Sequence, residues 1–265
     1  MPIKRTPYLN EFSLDNIPAW ICPSCQRGVL TNDLKEVKTH EKASSRAAHN
    51  HEAWEPEWMV GCFSGVLSCS NSTCKEKIGI LGHYRCIRHD YYDEVTGEPE
   101  MDIFEILTPT TFNPPIHIFH VNDEVPEAIR IEIISAFNLY WMDTASCANK
   151  IRVVVEKIMD SLKVVKTYKS PNKRKSYSLH QRIEFFKTNF PQYADSLMAI
   201  KWIGNSGSHN NDSLNKNDIL DAFEILEYVL GNIYETHTTR INKLTKTINK
   251  RKKPVGLGLS RKPPF

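Results

Sequence analysis

The 265-residue sequence contains no long apolar run, and no hydrophobic stretch approaches the ~20 residues needed to cross a bilayer. The first twenty residues also lack the apolar segment of a secretion signal. We therefore expect a cytoplasmic protein with no membrane partner. Thiols stay reduced in the cytoplasm, so the seven cysteines are expected to be metal ligands or buried thiols and not disulfides.

Two segments contain no acidic residue. Residues 161–180 hold six Lys or Arg and residues 237–265 hold nine, although the whole chain has a net charge of only +3. Such segments can present a basic surface to RNA, DNA or an acidic protein, although a solvated loop and an unstructured tail have the same composition. The candidate nucleic-acid-binding residues are Lys173, Arg174, Lys175, Lys250, Arg251, Lys252 and Lys253.

The first half of the chain has the composition of β-strands. Residues 58–69, 77–92 and 101–109 are rich in Val, Ile, Phe and Tyr, and polar or Gly/Pro-containing breaks separate them. Residues 94–100 fit a hairpin turn between the last two of these strands. The polar residues 26–57 read as an insertion before the first strand.

Two prolines within residues 112–127 indicate an irregular connection to a second, helical half. There the apolar residues recur at helical spacing. Two apolar faces are predicted, one through Ile133, Phe137, Tyr140 and Trp141 and one through Ile151, Val154, Val155, Ile158 and Leu162.

Three more helices follow from the pattern. They are expected over residues 179–190, over residues 192–204 and from Asn215 onward, where Asn215 and Asp218 have the spacing of a capping box. The continuation of the last helix places Ile241, Leu244 and Ile248 on one side and Arg240, Lys243, Lys246 and Lys250 on another.

The strand and helix patterns, together with the two short cysteine pairs Cys22/Cys25 and Cys69/Cys74, predict an α+β protein whose β-rich zinc ribbon precedes an α-helical bundle. The expected organisation is an N-terminal arm at 1–17, a zinc-ribbon-like β domain at 18–115 with the insertion at 26–57, a helical domain at 120–240, and a basic helix extension with a flexible tail at 241–265.

Four of the cysteines form two short pairs. Cys22 and Cys25 are separated by two residues, and Cys69 and Cys74 by four. Each pair can direct two thiolates at one ion, and four thiolates around Zn²⁺ make a closed structural site with no open position for chemistry. We therefore expect one structural zinc ion per chain. The alternative is a set of unrelated reduced thiols.

Three cysteines remain outside this set. Cys62 lies in a predicted strand and Cys147 at a predicted helix start, so both are interpreted as small buried residues. The segment HYRCIRH offers His83, Cys86 and His89 as a second set of metal ligands. Strand alternation, however, places Cys86 on the opposite face from the two histidines. The three residues are therefore interpreted as core or surface residues and not as a second metal site.

The stretch ADSLMAIKWIGNSGSHNNDSLNKNDILDAFEILEYVLGNIYE, residues 194–235, resembles the signature of the bacterial domain-of-unknown-function family 4145. Such domains are similar to the HEPN (higher-eukaryote and prokaryote nucleotide-binding) helical superfamily. Arg152 and Glu156 match the family's earlier helix, and longer members carry a four-cysteine ribbon ahead of the helices. The resemblance implies a homodimer through the helical domain. It also implies a role in prokaryotic defence, toxin–antitoxin or restriction systems, with protein partners from the same operon.

In HEPN ribonucleases, Arg and His are separated by four to six residues, often with Asn directly after the Arg, and RNA is cleaved without a metal at a dimer interface. The resemblance assigns such a role to His209 as general base, with Asn205 and a cation from Lys201 or Arg152. Helical spacing by four places Lys201, Asn205 and His209 on one face.

The sequence departs from that pattern because Gly204, not Arg, precedes Asn205. The first hypothesis is therefore a non-catalytic module that binds nucleic acid or a protein. The second is a metal-independent endoribonuclease, and ligand binding without turnover is a third. In the non-catalytic case, Asn205 and His209 cap the helix and fix the following turn.

Overall fold

The structure is a computed structural model that describes residues 3–32, 35–93, 97–171, 173–206, 214–234, 236–252 and 254. For residues 236–240, 242 and 243 it describes the backbone alone. The chain has a mixed α+β fold in which a curled antiparallel sheet precedes a group of helices. This arrangement confirms the predicted order of β and α elements.

The sheet has five strands and is built around two long ones. In chain order the strands are β1 (Leu30–Thr31), β2 (Lys38–Glu41), β3 (Val60–Cys69), β4 (Lys77–Tyr92) and β5 (Pro99–Asn113). Their order is β1-β3-β4-β5, and β2 also pairs with β3. The N-terminal arm carries α1 (Thr6–Leu9), and the polar segment before β3 carries β2, α2 (Ala43–Ala48) and a 3₁₀ turn at Pro56–Trp58.

Alternation along the strands determines which side chains reach the core. On β4, Cys86 is buried while His83 and His89 are exposed, as the alternation predicted. On β3, Phe63 is fully buried, so its neighbour Cys62 points to the opposite face and is exposed. The prediction that Cys62 is a buried residue was therefore wrong.

The second half contains six helices in the part of it that the structure describes. They are α3 (Glu127–Met142), α4 (Thr144–Ser161), α5 (Leu179–Lys187), α6 (Pro191–Ser206), α7 (Lys216–Tyr234) and α8 (Thr236–Arg251). The two predicted apolar faces are buried along α3 and α4, except that Leu162 is only half-buried and lies just beyond the end of α4. Cys147 is fully buried near the start of α4, as predicted.

Local capping explains where several helices begin. The Asp143 carboxylate accepts hydrogen bonds from the backbone N–H groups of Ala145 and Ser146 at the start of α4. At α7, the Asn215 side chain accepts from the Asp218 N–H and the Asp218 carboxylate accepts from the Asn215 N–H. This reciprocal pair is the predicted capping box, and it satisfies two N–H groups that the helix itself leaves without partners.

Between α4 and α5 the chain forms a small antiparallel hairpin that the sequence analysis did not predict. It pairs β6 (Thr167–Ser170) with β7 (Lys173–Ser176). The hairpin lies within the acid-free segment 161–180, so eight of the twenty residues in the first basic segment lie in paired strands.

The two halves share one hydrophobic core. Trp141 of α3 packs against Trp20 and Phe112 of the β-rich half, with ring centroids 5.9 and 4.9 Å apart. The connection between β5 and α3 has no regular structure, as its prolines indicated, but it buries Ile116, Ile118 and Phe119 in the same core. The helices are thus packed on the sheet. Among the described residues, no helix has both the length and the apolar character that a membrane crossing requires.

Candidate metal centre and candidate nucleic-acid interface

The four predicted cysteine ligands converge at one end of the sheet. Cys69 ends β3, and Cys74 lies in the turn before β4. Cys22 and Cys25 lie in a turn that β1 ties to β3, because Leu30 pairs with Cys69. The four sulfur atoms all lie within 4.8 Å of one another. Within the described residues, this is the one group of three or more His, Cys, Asp or Glu side chains that meets that distance.

The distances between the sulfur atoms fit a tetrahedral ion. The Sγ atoms of Cys22 and Cys74 are 3.9 Å apart, and those of Cys25 and Cys69 are 3.6 Å apart. A tetrahedron with metal–sulfur bonds of about 2.3 Å has sulfur–sulfur edges of about 3.8 Å, so both distances match one four-coordinate ion. An ion held by all four cysteines would have no open position, as in structural metal sites.

Backbone N–H groups donate hydrogen bonds to two of the cysteine sulfur atoms, which favours their thiolate form. The N–H of Gly28 points at the Cys25 Sγ and the N–H of Asn71 at the Cys69 Sγ, each at 3.4 Å. The N–H groups of Gly28 and Arg27 lower the pKa of Cys25 to about 6. Burial raises the pKa of Cys69 to about 12. The Cys25 thiolate is thus favoured by the fold alone, whereas Cys69 needs a cation beside it to ionise at neutral pH.

Gly28 was not among the predicted site residues, although the geometry of the cluster requires it. A Cβ on Gly28 would lie 2.5 Å from the Cys69 Sγ and 2.9 Å from Asn71, so only glycine fits between the two turns. In addition, the residue after the second cysteine of each pair, Gln26 and Lys75, has a positive φ near 55°. Its position three residues after Cys25 is the sequence feature that could have identified Gly28 as part of the site.

The motif residues Lys201 and Asn205 lie one turn apart near the end of α6, and both are half-buried. The Lys201 Nζ lies 3.4 Å from the ring centroid of the exposed Trp202. Gly204 faces α4, where a Cβ on it would lie 2.9 Å from the Arg152 Cβ. Arg152 itself donates to Glu156 at 2.9 Å and to Asn149 at 3.3 Å. The fold therefore brings Arg152 beside the motif, whereas His209 lies outside the described residues.

The predicted basic residues lie in two places. Lys173, Arg174 and Lys175 form the exposed strand β7, and Lys169 lies opposite Arg174 on β6. Lys250 and Arg251 end α8, and Lys252 follows it with an exposed side chain. Lys253 lies outside the described residues.

Comparisons with known families match both halves of the chain. Residues 10–112 match the family described as Domain of unknown function (DUF8608). Residues 135–251 match the family described as Domain of unknown function (DUF4145), which confirms the resemblance of the helical half to family 4145. The chain matches no curated protein and no solved structure.

Proposed function

We propose that the protein is a zinc-stabilised nucleic-acid-binding protein, and that the β6–β7 hairpin is its main contact with phosphates. The observation that carries this proposal is the row of cations on the hairpin. Lys169, Lys173, Arg174 and Lys175 are all exposed. None of the four forms an ion pair within 4.0 Å with an acid in the described part of the chain.

Several other surface cations of this protein lie in ion pairs with neighbouring acids. Lys77 pairs with Glu36, Arg85 with Glu11, and Arg88 with Asp90. The hairpin cations lie on two strands with no acid between them and are held close together by the pairing of Lys169 with Arg174. Phosphates are the ligand class that such a concentration of unpaired positive charge attracts most strongly.

The second basic segment supports the same function. Lys250, Arg251 and Lys252 add three consecutive cations at the end of α8. On the same helix, Ile241, Leu244 and Ile248 are exposed and fall on one face. We propose that this segment extends the nucleic-acid contact, and that the resemblance to HEPN domains extends to a homodimer and to a role in a prokaryotic defence, toxin–antitoxin or restriction-type system.

The metal in this proposal is zinc. The four-sulfur donor set and the sulfur–sulfur distances of 3.6 and 3.9 Å support it, because a tetrahedral all-thiolate site is a common form of structural zinc. Cys22, Cys25, Cys69 and Cys74 would hold the ion and join the first turn of the domain to the sheet.

The experiment is a titration of labelled single-stranded and double-stranded oligonucleotides at several salt concentrations. The variant Lys173→Gln/Arg174→Gln/Lys175→Gln is expected to bind more weakly and to reduce the slope of log K against log salt by about 2 for a single strand, since each lost phosphate contact removes about 0.7. The matched control is Lys38→Gln/Lys42→Gln/Arg46→Gln, which removes the same charge from exposed positions elsewhere. Equal affinity of the two triple variants would contradict the proposal.

A metal-independent ribonuclease is the second candidate, and the contact between Gly204 and Arg152 favours it. The strict motif needs a cation next to Asn205, and we propose that Arg152, which lies against Gly204 and pairs with Glu156, provides it from the neighbouring helix. The test is incubation of the wild type, Arg152→Gln and His209→Ala with labelled RNA in EDTA. Cleavage by the wild type that both variants lose would support catalysis, and intact RNA in all three samples would leave binding as the function.

A further inference from the structure

The basic hairpin also carries an aromatic cluster. Tyr168 of β6 packs against Tyr177, which follows β7, with ring centroids 4.7 Å apart. Tyr177 in turn meets Phe185 of α5 edge-on at 4.9 Å. The three rings form a continuous series from the hairpin to the helix, and we call it the aromatic platform.

The register of the hairpin places the platform among the cations. Tyr168 lies directly opposite Lys175. Because side chains alternate along a strand, Lys173, Lys175 and Tyr177 point to the same side as Tyr168. The side of the hairpin that carries the rings therefore also carries two of the unpaired lysines.

Part of the platform has a structural role. An isolated two-stranded hairpin is only marginally stable in water, and the packing of Tyr177 between Tyr168 and Phe185 attaches this one to α5. That role accounts for the half-buried Tyr177. It does not account for the outer rings, since Tyr168 keeps 38% and Phe185 42% of its surface exposed.

From this combination we infer that the hairpin binds single-stranded nucleic acid, with bases stacking on Tyr168 and Phe185 and phosphates lying along Lys173 and Lys175. The inference rests on the proposed function and specifies its ligand. Exposed aromatic rings beside cations are the arrangement with which proteins bind single strands irrespective of sequence. A duplex keeps its bases stacked on each other and offers the platform its phosphates alone. An acidic peptide likewise offers charge without bases.

The test compares three ligands of matched length: a mixed-sequence RNA strand, the same sequence as DNA, and an abasic strand with the same number of phosphates. The wild type is expected to bind both base-containing strands about tenfold more tightly than the abasic strand, because stacking on one ring contributes about that factor or more. Tyr168→Leu is expected to remove most of this difference and to leave affinity for the abasic strand unchanged. Tyr168→Phe keeps the ring and is expected to behave like the wild type.

Unfolding curves of Tyr168→Leu and Tyr168→Phe establish that neither substitution has unfolded the protein. Phe185→Leu removes the other exposed ring of the aromatic platform, which lies on a helix and not on a strand. Equal affinity of the wild type for base-containing and abasic strands would overturn the inference, as would polyglutamate that competes as well as RNA. The inference alone fails if the triple hairpin variant loses binding while Tyr168→Leu and Phe185→Leu keep the preference for bases. The proposed function fails as well if the triple hairpin variant binds like the wild type.

Discussion

Gly204 of α6 lies directly against Arg152 of α4: a Cβ on the glycine would lie 2.9 Å from the Arg152 Cβ and 3.1 Å from the carbonyl oxygen of Ala148. No larger side chain fits at this position without moving one of the helices. The glycine before Asn205 is therefore explained by close packing of the two helices. That packing also brings the Arg152 side chain beside the motif.

The first prediction concerns this contact. Gly204→Ala is expected to destabilise the protein by about 1–3 kcal/mol, since overpacking a close helix contact costs about that much. Gly231→Ala in α7 is the matched control, because nothing lies within 4 Å of a Cβ there. The control should instead gain about 0.5–1 kcal/mol from the higher helix propensity of alanine. Urea unfolding measures both, and a stabilised Gly204→Ala variant would contradict the packing argument.

The metal centre gives the second prediction. Gly28→Ala is expected to lower metal affinity without removing any ligand, because the new Cβ would lie 2.5 Å from the Cys69 Sγ. Cys69→Ser should abolish stoichiometric binding, whereas Cys62→Ser, at an exposed cysteine outside the cluster, should leave it unchanged. Elemental analysis after dialysis against a graded chelator series checks all three. Retention of a full complement of zinc by Cys69→Ser would exclude the four-cysteine site.

The cysteine set was predictable from spacing alone, because two short Cys pairs have few other uses in a reduced chain. The strands and the helix faces were equally visible as periodicity. The error at Cys62 arose because its strand was judged by composition. The neighbouring Phe63 fixes which residues face inward, so Cys62 must face outward. Side chains alternate along a strand, so a residue next to the buried Phe63 is expected to face solvent. Applied to β3, this rule would have predicted an exposed Cys62.

The β6–β7 hairpin was missed for a different reason. Its strands are four residues each and contain Lys, Arg, Ser, Thr and a single Tyr, so they have no apolar alternation. The hairpin forms because Tyr168 of β6, Tyr177 after β7 and Phe185 of α5 pack together. Tertiary contacts of that kind are not visible in a local pattern. The position of Gly28 between the two cysteine turns is likewise a consequence of the folded site.

The third prediction tests whether the two halves unfold together. Trp141 lies in the core that joins them, against Trp20 and Phe112. Trp141→Ala is expected to cost about 3–5 kcal/mol, as large-to-small changes at buried aromatic residues do. Because the core is continuous, both halves should lose stability in a single transition. Trp202→Ala is the control at a tryptophan with 55% of its surface exposed, and it should change little.

Far-UV circular dichroism and zinc release, followed during the same denaturant titration, distinguish the alternatives for Trp141→Ala. Coincident midpoints are expected from one shared core. If the helices melted while the β-rich half kept its metal, the halves would be independent folding units and the contacts of Trp141 would contribute little to their coupling.

The fourth prediction concerns the pH dependence of an ion pair between α4 and α5. The guanidinium of Arg182 is almost fully buried, and it donates to the Asp160 carboxylate at 2.6 Å and to the Val164 carbonyl at 3.3 Å. Burial by itself raises the pKa of Asp160, but the hydrogen bonds from Arg182 and Lys166 outweigh it and hold the pKa below its ordinary value. The folded state therefore binds the proton of Asp160 less tightly than the unfolded chain does.

The sign of the effect follows from linkage. A carboxyl whose pKa is lowered on folding stabilises the protein fully above its unfolded pKa of about 3.9, and this contribution disappears as pH falls through the folded pKa. At neutral pH, Asp160→Asn leaves a buried cation without its counter-charge and should cost about 3 kcal/mol. As pH falls from about 4 through the lower folded pKa, the wild type loses this contribution, so the difference between the two proteins should shrink.

The control is Asp195→Asn, because Asp195 is highly exposed and its partner Lys187 lies 3.5 Å away. An exposed pair of this kind contributes little, so that variant should follow the wild type at every pH. Urea midpoints of the three proteins from neutral pH down to the acid transition provide the measurement. A difference between wild type and Asp160→Asn that stayed constant over this range would show that the carboxylate charge does not stabilise Arg182. The role of Asp160 would then be limited to the shape and hydrogen bonding that asparagine also supplies.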